Sequence, residues 1–93
     1  MDTKQWIRLE VICTSYEIES SFMESLCEFG LLEIIEEENT RYIDPMHLSD
    51  LERMIRLHYD LGVNMEGLDT IRHLLDRIER LQREVLELKN III

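Results

Sequence analysis

The sequence predicts a mainly α chain, with a small two-stranded wing set between its helices and one long helix at its C-terminal end. Three observations point there. Apolar residues recur at three and four positions over most of the chain. One pair of short strand-like runs flanks a turn signal. A heptad-like stripe then continues without interruption from Ile71 to Ile92.

The elements follow in order. Leu9, Ile12, Cys13 and Tyr16 fall at i, i+3, i+4 and i+7, one face of a short first helix. Ser21-Phe22-Met23-Glu24 has the form of a capping box, in which Ser21 and Glu24 satisfy each other's free backbone donors. It opens a second helix expected to bury Phe22, Leu26 and Phe29, with Gly30 as its stop. Leu32 to Glu37 and Arg41 to Ile43 read as two short strands around a turn at Glu38-Asn39-Thr40. Asp44-Pro45 starts a third helix, the Asp as N-cap acceptor and the Pro where a missing N–H costs nothing. This helix is expected to turn Leu48, Leu51, Ile55 and Leu61 inward and to end at Gly62. Asn64 caps the fourth helix, with Val63 and Leu68 placed as a hydrophobic staple.

The fourth helix carries the strongest pattern. Ile71, Leu74, Ile78, Leu81, Val85, Leu88 and Ile92 form one seam, and Asp76–Arg80, Glu79–Arg83 and Arg83–Glu87 are spaced for i, i+4 pairing on the outer face. The N-terminal half of the stripe can pack on the chain's own core. Beyond about Arg80 no chain is left to cover it, so either the tail docks back on its own domain or a second copy pairs with it. A homodimer is the simpler remedy. β-branched and Leu alternation suits a two-stranded parallel seam, although three heptads specify direction weakly. Residues 1–63 are thus one module and residues 64–93 a dimerisation helix, within one structural domain.

Composition narrows the function. Ninety-three residues are 45% hydrophobic and 32% charged, too apolar for disorder and too short to enclose a large pocket. No apolar run approaches the ~20 residues of a membrane span, and MDTKQWIRLE lacks the apolar region of a signal peptide. Cys13 and Cys27 are too few for a disulfide scaffold and lack CxxC spacing, so the expectation is a cytoplasmic protein whose free thiols act as small hydrophobes. His47, His58 and His73 are not spaced as zinc ligands, and Gly62 to Gly67 lacks the Lys of a phosphate loop. No enzyme, no metal and no cofactor are expected.

Charge is the sharpest compositional signal. The net charge of −10 would repel a nucleic-acid backbone. Residues 1–47 carry eleven acids against three bases, and from Leu9 through Thr40 there are nine Glu without one Lys, Arg or His. Such a run is read either as a solvated face or as a docking surface for a basic partner.

The order Phe29-Gly30-Leu31-Leu32, Arg41-Tyr42-Ile43-Asp44 and Leu57-His58-Tyr59-Asp60-Leu61-Gly62-Val63-Asn64-Met65-Glu66-Gly67 resembles the MerR-like winged helix-turn-helix over residues 9–88. That resemblance implies a winged helix-turn-helix followed by a dimerisation helix, paired antiparallel in that family. The departures bear on function. Where DNA-binding relatives carry three Arg on the second helix, alignment on Gly30 places Ser21, Glu24 and Glu28, and only Arg41 remains basic in the wing. Two carboxylates on a helix meant for a phosphate-lined groove oppose DNA binding.

The Arg-Tyr-Ile-Asp-Pro start, the Asp-Leu-Gly-Val-Asn-Met-Glu-Gly junction and the Arg-Ile-Glu-Arg-Leu-Gln tail look like CbpM-type chaperone modulators. This resemblance implies a non-enzymatic module that binds the J-domain of a DnaJ-like (CbpA-type) cochaperone and blocks its stimulation of DnaK. The alternatives are a MerR-like DNA-binding regulator and a plain dimeric scaffold. The expected partner site is Glu24 and Glu28, flanked by Glu17, Glu19, Glu36, Glu37 and Glu38, with no nearby base in sequence to relieve the i, i+4 pair. Glu24 could instead serve only its cap, and Glu36 to Glu38 could only guard the wing edge. Asp50 and Glu52 with Arg53 and Arg56 on the third helix are the other candidate surface.

Overall fold

A computed structural model describes residues 5–92. Its elements are β1 (Ile7–Arg8), α1 (Leu9–Tyr16), α2 (Ser20–Glu28), β2 (Ile35–Glu37), β3 (Thr40–Ile43), α3 (Leu48–Ile55) and α4 (Met65–Ile92). A 3₁₀ turn at Pro45–His47 leads into α3 and a π turn at Arg56–Asp60 leads out of it. The expected order of helices and wing is present, as is the mainly α class.

The wing gains a strand. Ile7 pairs with Ile43 and Arg8 with Tyr42, so the sheet is three-stranded and antiparallel in the order β1-β3-β2. Two residues are too few to give a period-2 signal, and β1 runs directly into α1. The Trp6 and Tyr42 rings lie 5.8 Å apart on this sheet. The hairpin turn is shorter than expected: Thr40 belongs to β3, and Glu38 (φ 51°) and Asn39 (φ 63°) alone make the reversal. Two successive left-handed residues match the right-handed twist of the flanking strands. Leu31 and Leu32 do not pair; both are buried in the connection from α2, and β2 begins only at Ile35.

α2 ends as its Gly implies. The Leu31 N–H reaches the Leu26 carbonyl at 2.8 Å and the Gly30 N–H reaches that of Cys27 at 3.0 Å, with Gly30 at φ 73°. This is the doubly bonded αL stop that satisfies two orphan carbonyls. Its start differs from expectation. The helix opens two residues earlier, Glu19 stands at the N-cap without a side-chain bond, and the Ser21 hydroxyl donates to the Glu19 carboxylate at 3.3 Å. The capping box does not form.

The core lies where α1, α2, β3, α3 and the first turns of α4 converge, and Met23, Leu26, Ile43, Leu51 and Leu68 are its fully buried side chains. Phe22 and Leu26 are buried as expected, but Phe29 is the C-cap of α2 and is 39% exposed; Met23 takes the inward place. Leu51 is buried on α3, with Leu48 and Ile55 packed at the edge. Met54 is buried on α3 ahead of the π turn, and the turn packs Leu57 at the core edge and leaves Leu61 exposed instead. Asp44 accepts from the Met46 N–H (3.0 Å) and Asn64 from the Gly67 N–H (2.8 Å), so both expected caps form. Val63 packs at the edge of the core cluster that contains buried Leu68.

α4 runs 28 residues, roughly 42 Å at 1.5 Å per residue. Leu68 is buried and Ile71 and Leu75 are half-buried against α3, after which the helix leaves the core. The tail does not fold back. Asp76 pairs with Arg72 (3.7 Å) rather than with Arg80.

Candidate functional site

Two surfaces meet on α2. The first is the acidic face. Glu24 ion-pairs with Arg41 on β3 at 3.6 Å, both side chains about half exposed. The β2–β3 register sets Glu36 directly opposite Arg41, so these two share a sheet face, while Glu37, opposite Thr40, points to the other. Glu28 follows Glu24 by one helical turn and its charge is felt at Cys27 together with that of Glu24. The absence of a base near Glu24 in sequence is thus corrected by the fold. Arg41, seventeen positions on, is brought there by the hairpin. One cation among Glu24, Glu28 and Glu36 leaves this face net negative.

The remaining acids of the expected site spread out. Glu17 caps α1 in a left-handed conformation (φ 56°), and Glu38 occupies the hairpin tip. Glu19 turns to another side of α2. All are exposed.

The second surface escapes sequence reading because three elements build it. Between α2, the π turn and the start of α4 lies a groove of about 530 Å³. It is lined by Glu19, Ser21, Phe22, Ser25, Phe29, His58, Tyr59, Asn64, Met65 and Glu66. Phe22 stacks on His58 at 4.7 Å and meets the Tyr59 edge at 5.2 Å; His58 and Tyr59 stand perpendicular at 4.9 Å. The Glu19 N–H donates weakly to the Tyr59 hydroxyl at 3.5 Å. His58 Nδ1 donates to the Val63 carbonyl at 2.8 Å, which fixes the ring. No sequence signal marks the groove, since Phe29 reads as part of the buried face of α2 and stands exposed only in the fold.

The surface on the third helix is largely engaged within the chain. Asp50 and Arg53 pair with each other at 3.4 Å, and the Tyr16 hydroxyl donates to Glu52.

Along α4, Leu74, Ile78, Leu81, Val85 and Leu88 are each about half or more exposed, as are Leu86 and Ile91; Ile71 is half-buried, and the Ile92 side chain lies outside the described residues. Seven large apolar side chains on one projecting helix exceed what a lone soluble domain ordinarily shows.

Burial pushes the Cys13 and Cys27 thiols up, with Arg41 pulling both partly back. Among the described residues no group of three or more His, Cys, Asp or Glu is arranged to hold a metal, and no helix is long and apolar enough to cross a membrane.

Comparison with curated proteins and with solved structures finds no match. A family model described as MerR HTH family regulatory protein matches residues 7–90, from β1 through nearly all of α4. With helix-turn-helix, wing and long helix in that order, the chain belongs to the MerR HTH family of regulatory proteins.

Proposed function

We propose that this chain acts by binding a protein rather than DNA, as a non-enzymatic homodimeric modulator of a DnaJ-like (CbpA-type) cochaperone. The observation that carries the reading is the surface of α2. In a helix-turn-helix reader this helix enters the major groove. Here it presents Glu24 and Glu28, with Glu36 beside Arg41, and one basic group cannot neutralise them. Like charge opposes phosphate and favours a basic protein surface. The choice of a J-domain rests on the resemblance to CbpM-type modulators. By occupying that domain the module would stop it from stimulating DnaK. The exposed α4 seam supports pairing of two copies, which also doubles the number of binding faces per particle.

Titration calorimetry of the full chain against a J-domain tests the reading. Saturable binding that weakens when Glu24 and Glu28 are both changed to Gln, with circular dichroism unchanged, is the expected result. It should be clearest at low ionic strength. Duplex binding in a low-salt gel shift, without J-domain binding, would overturn it in favour of a DNA-binding regulator. Unchanged affinity in the double variant would move the contact off α2.

A further inference from the structure

We infer that the groove between α2, the π turn and α4 is an anchor pocket for an arginine side chain of a partner protein. The inference deepens the reading of a basic partner and rests on it, but locates a contact away from the Glu24–Arg41 face.

The groove combines three features that suit one occupant. Its wall is aromatic: Tyr59 and Phe29 are 44% and 39% exposed, set against the buried ring of Phe22. A guanidinium stacks on such faces, since it is planar and more weakly hydrated than an ammonium. Its rim is acidic, with Glu19 and Glu66, and neither carboxylate is ion-paired among the described residues. No Lys or Arg lines it. Its third feature is an acceptor. The Val63 carbonyl holds the proton on His58 Nδ1, so in the neutral ring Nε2 carries a lone pair. A fork of N–H donors between ring faces and carboxylates satisfies all three at once, whereas an apolar side chain would leave the rim charges unmatched.

The π turn is what assembles the pocket. It places His58 and Tyr59 side by side in sequence yet both against Phe22, and turns of this kind occur most often at functional places in helices.

The test uses the isotope-labelled full chain and two small probes, N-acetylarginine amide and its uncharged isostere N-acetylcitrulline amide, at matched ionic strength. The arginine probe is expected to shift the NMR signals of Phe29, Tyr59 and Glu66 saturably, and citrulline to shift them at least fivefold less. Changing Glu19 and Glu66 together to Gln should abolish the response. Changing Glu24 and Glu28 to Gln should leave it intact. All four side chains are exposed, so neither double variant threatens the fold. Equal shifts with citrulline, shifts spread evenly over Glu24, Glu28 and Glu36, or no shift would each overturn the pocket. Groove signals that move with protein concentration alone would assign it to a second copy instead. No cochaperone enters the experiment, so the pocket and the J-domain reading fail separately.

Discussion

The Tyr16 hydroxyl donates to the Glu52 carboxylate, joining the end of α1 to the middle of α3 across thirty-six positions of sequence. Both side chains are half-buried, and the bond closes the helix-turn-helix against the helix that follows the wing.

This bond raises the Tyr16 pKa above its ordinary value of 10.0, first through the hydrogen bond, then through burial and the Glu52 charge. A folded-state pKa above the unfolded one contributes stability fully below about pH 10, and that contribution disappears as pH rises through the folded value. One of the three tyrosines should therefore ionise late in an absorbance titration. Tyr16→Phe should remove that late step and cost about 1 kcal/mol at neutral pH, read by urea denaturation.

Cys13 and Cys27 should react slowly. Desolvation keeps both thiols protonated beyond their usual range, with only partial relief from Arg41. At pH 8 iodoacetamide should alkylate the folded chain several-fold more slowly than free cysteine, and denaturant should erase the difference. Fast alkylation of the native chain would contradict the burial.

Arg41→Ala should change stability by no more than about 1 kcal/mol, since the pair with Glu24 is exposed. Its effect on binding should be larger in kind. Removing the one cation from that face takes the net charge from −10 to −11 and should tighten binding of a basic partner at low salt, measured calorimetrically at two ionic strengths.

Gly67→Ala tests the start of α4. Alanine in a helix ordinarily gains about 1 kcal/mol over glycine. Here an added Cβ would stand 2.7 Å from Val63 Cγ1 and 3.1 Å from Asn64 Oδ1, disturbing the Val63 side chain and the Asn64 cap together. A lowered melting temperature is the expected result.

Leu81→Lys tests the seam. A charge opposite its mate in an apolar interface costs a few kcal/mol, so sedimentation at micromolar concentration should show the wild type as a dimer and the variant as a monomer. Identical species would end the pairing proposal.

Much of this architecture is legible in sequence because local chemistry sets it. Asp44-Pro45, Asn64 and Gly30 each specify a helix end within a few residues, and the seam of α4 repeats often enough to fix its face. Features that depend on distant partners are not legible. β1 is two residues long and exists only because β3 receives it. The Glu24–Arg41 pair requires the hairpin, and the capping box fails because the helix opens two residues early, leaving Glu24 free to meet Arg41. Half of the acidic site was thus readable as charge, but its division between two faces of α2 was not. The aromatic groove draws on residues 19 to 66, and no local window contains it.

The π turn makes chain length, rather than side-chain chemistry, the determinant of that groove. A π turn holds one residue more than an α turn closing over the same span. Deleting Leu57 would return the turn to ordinary spacing and swing His58 and Tyr59 about 100° around the axis, away from Phe22. Leu51 and Met54 precede the turn and would keep their places in the core. A single codon lost there would erase the pocket while every ring and carboxylate that lines it remained encoded.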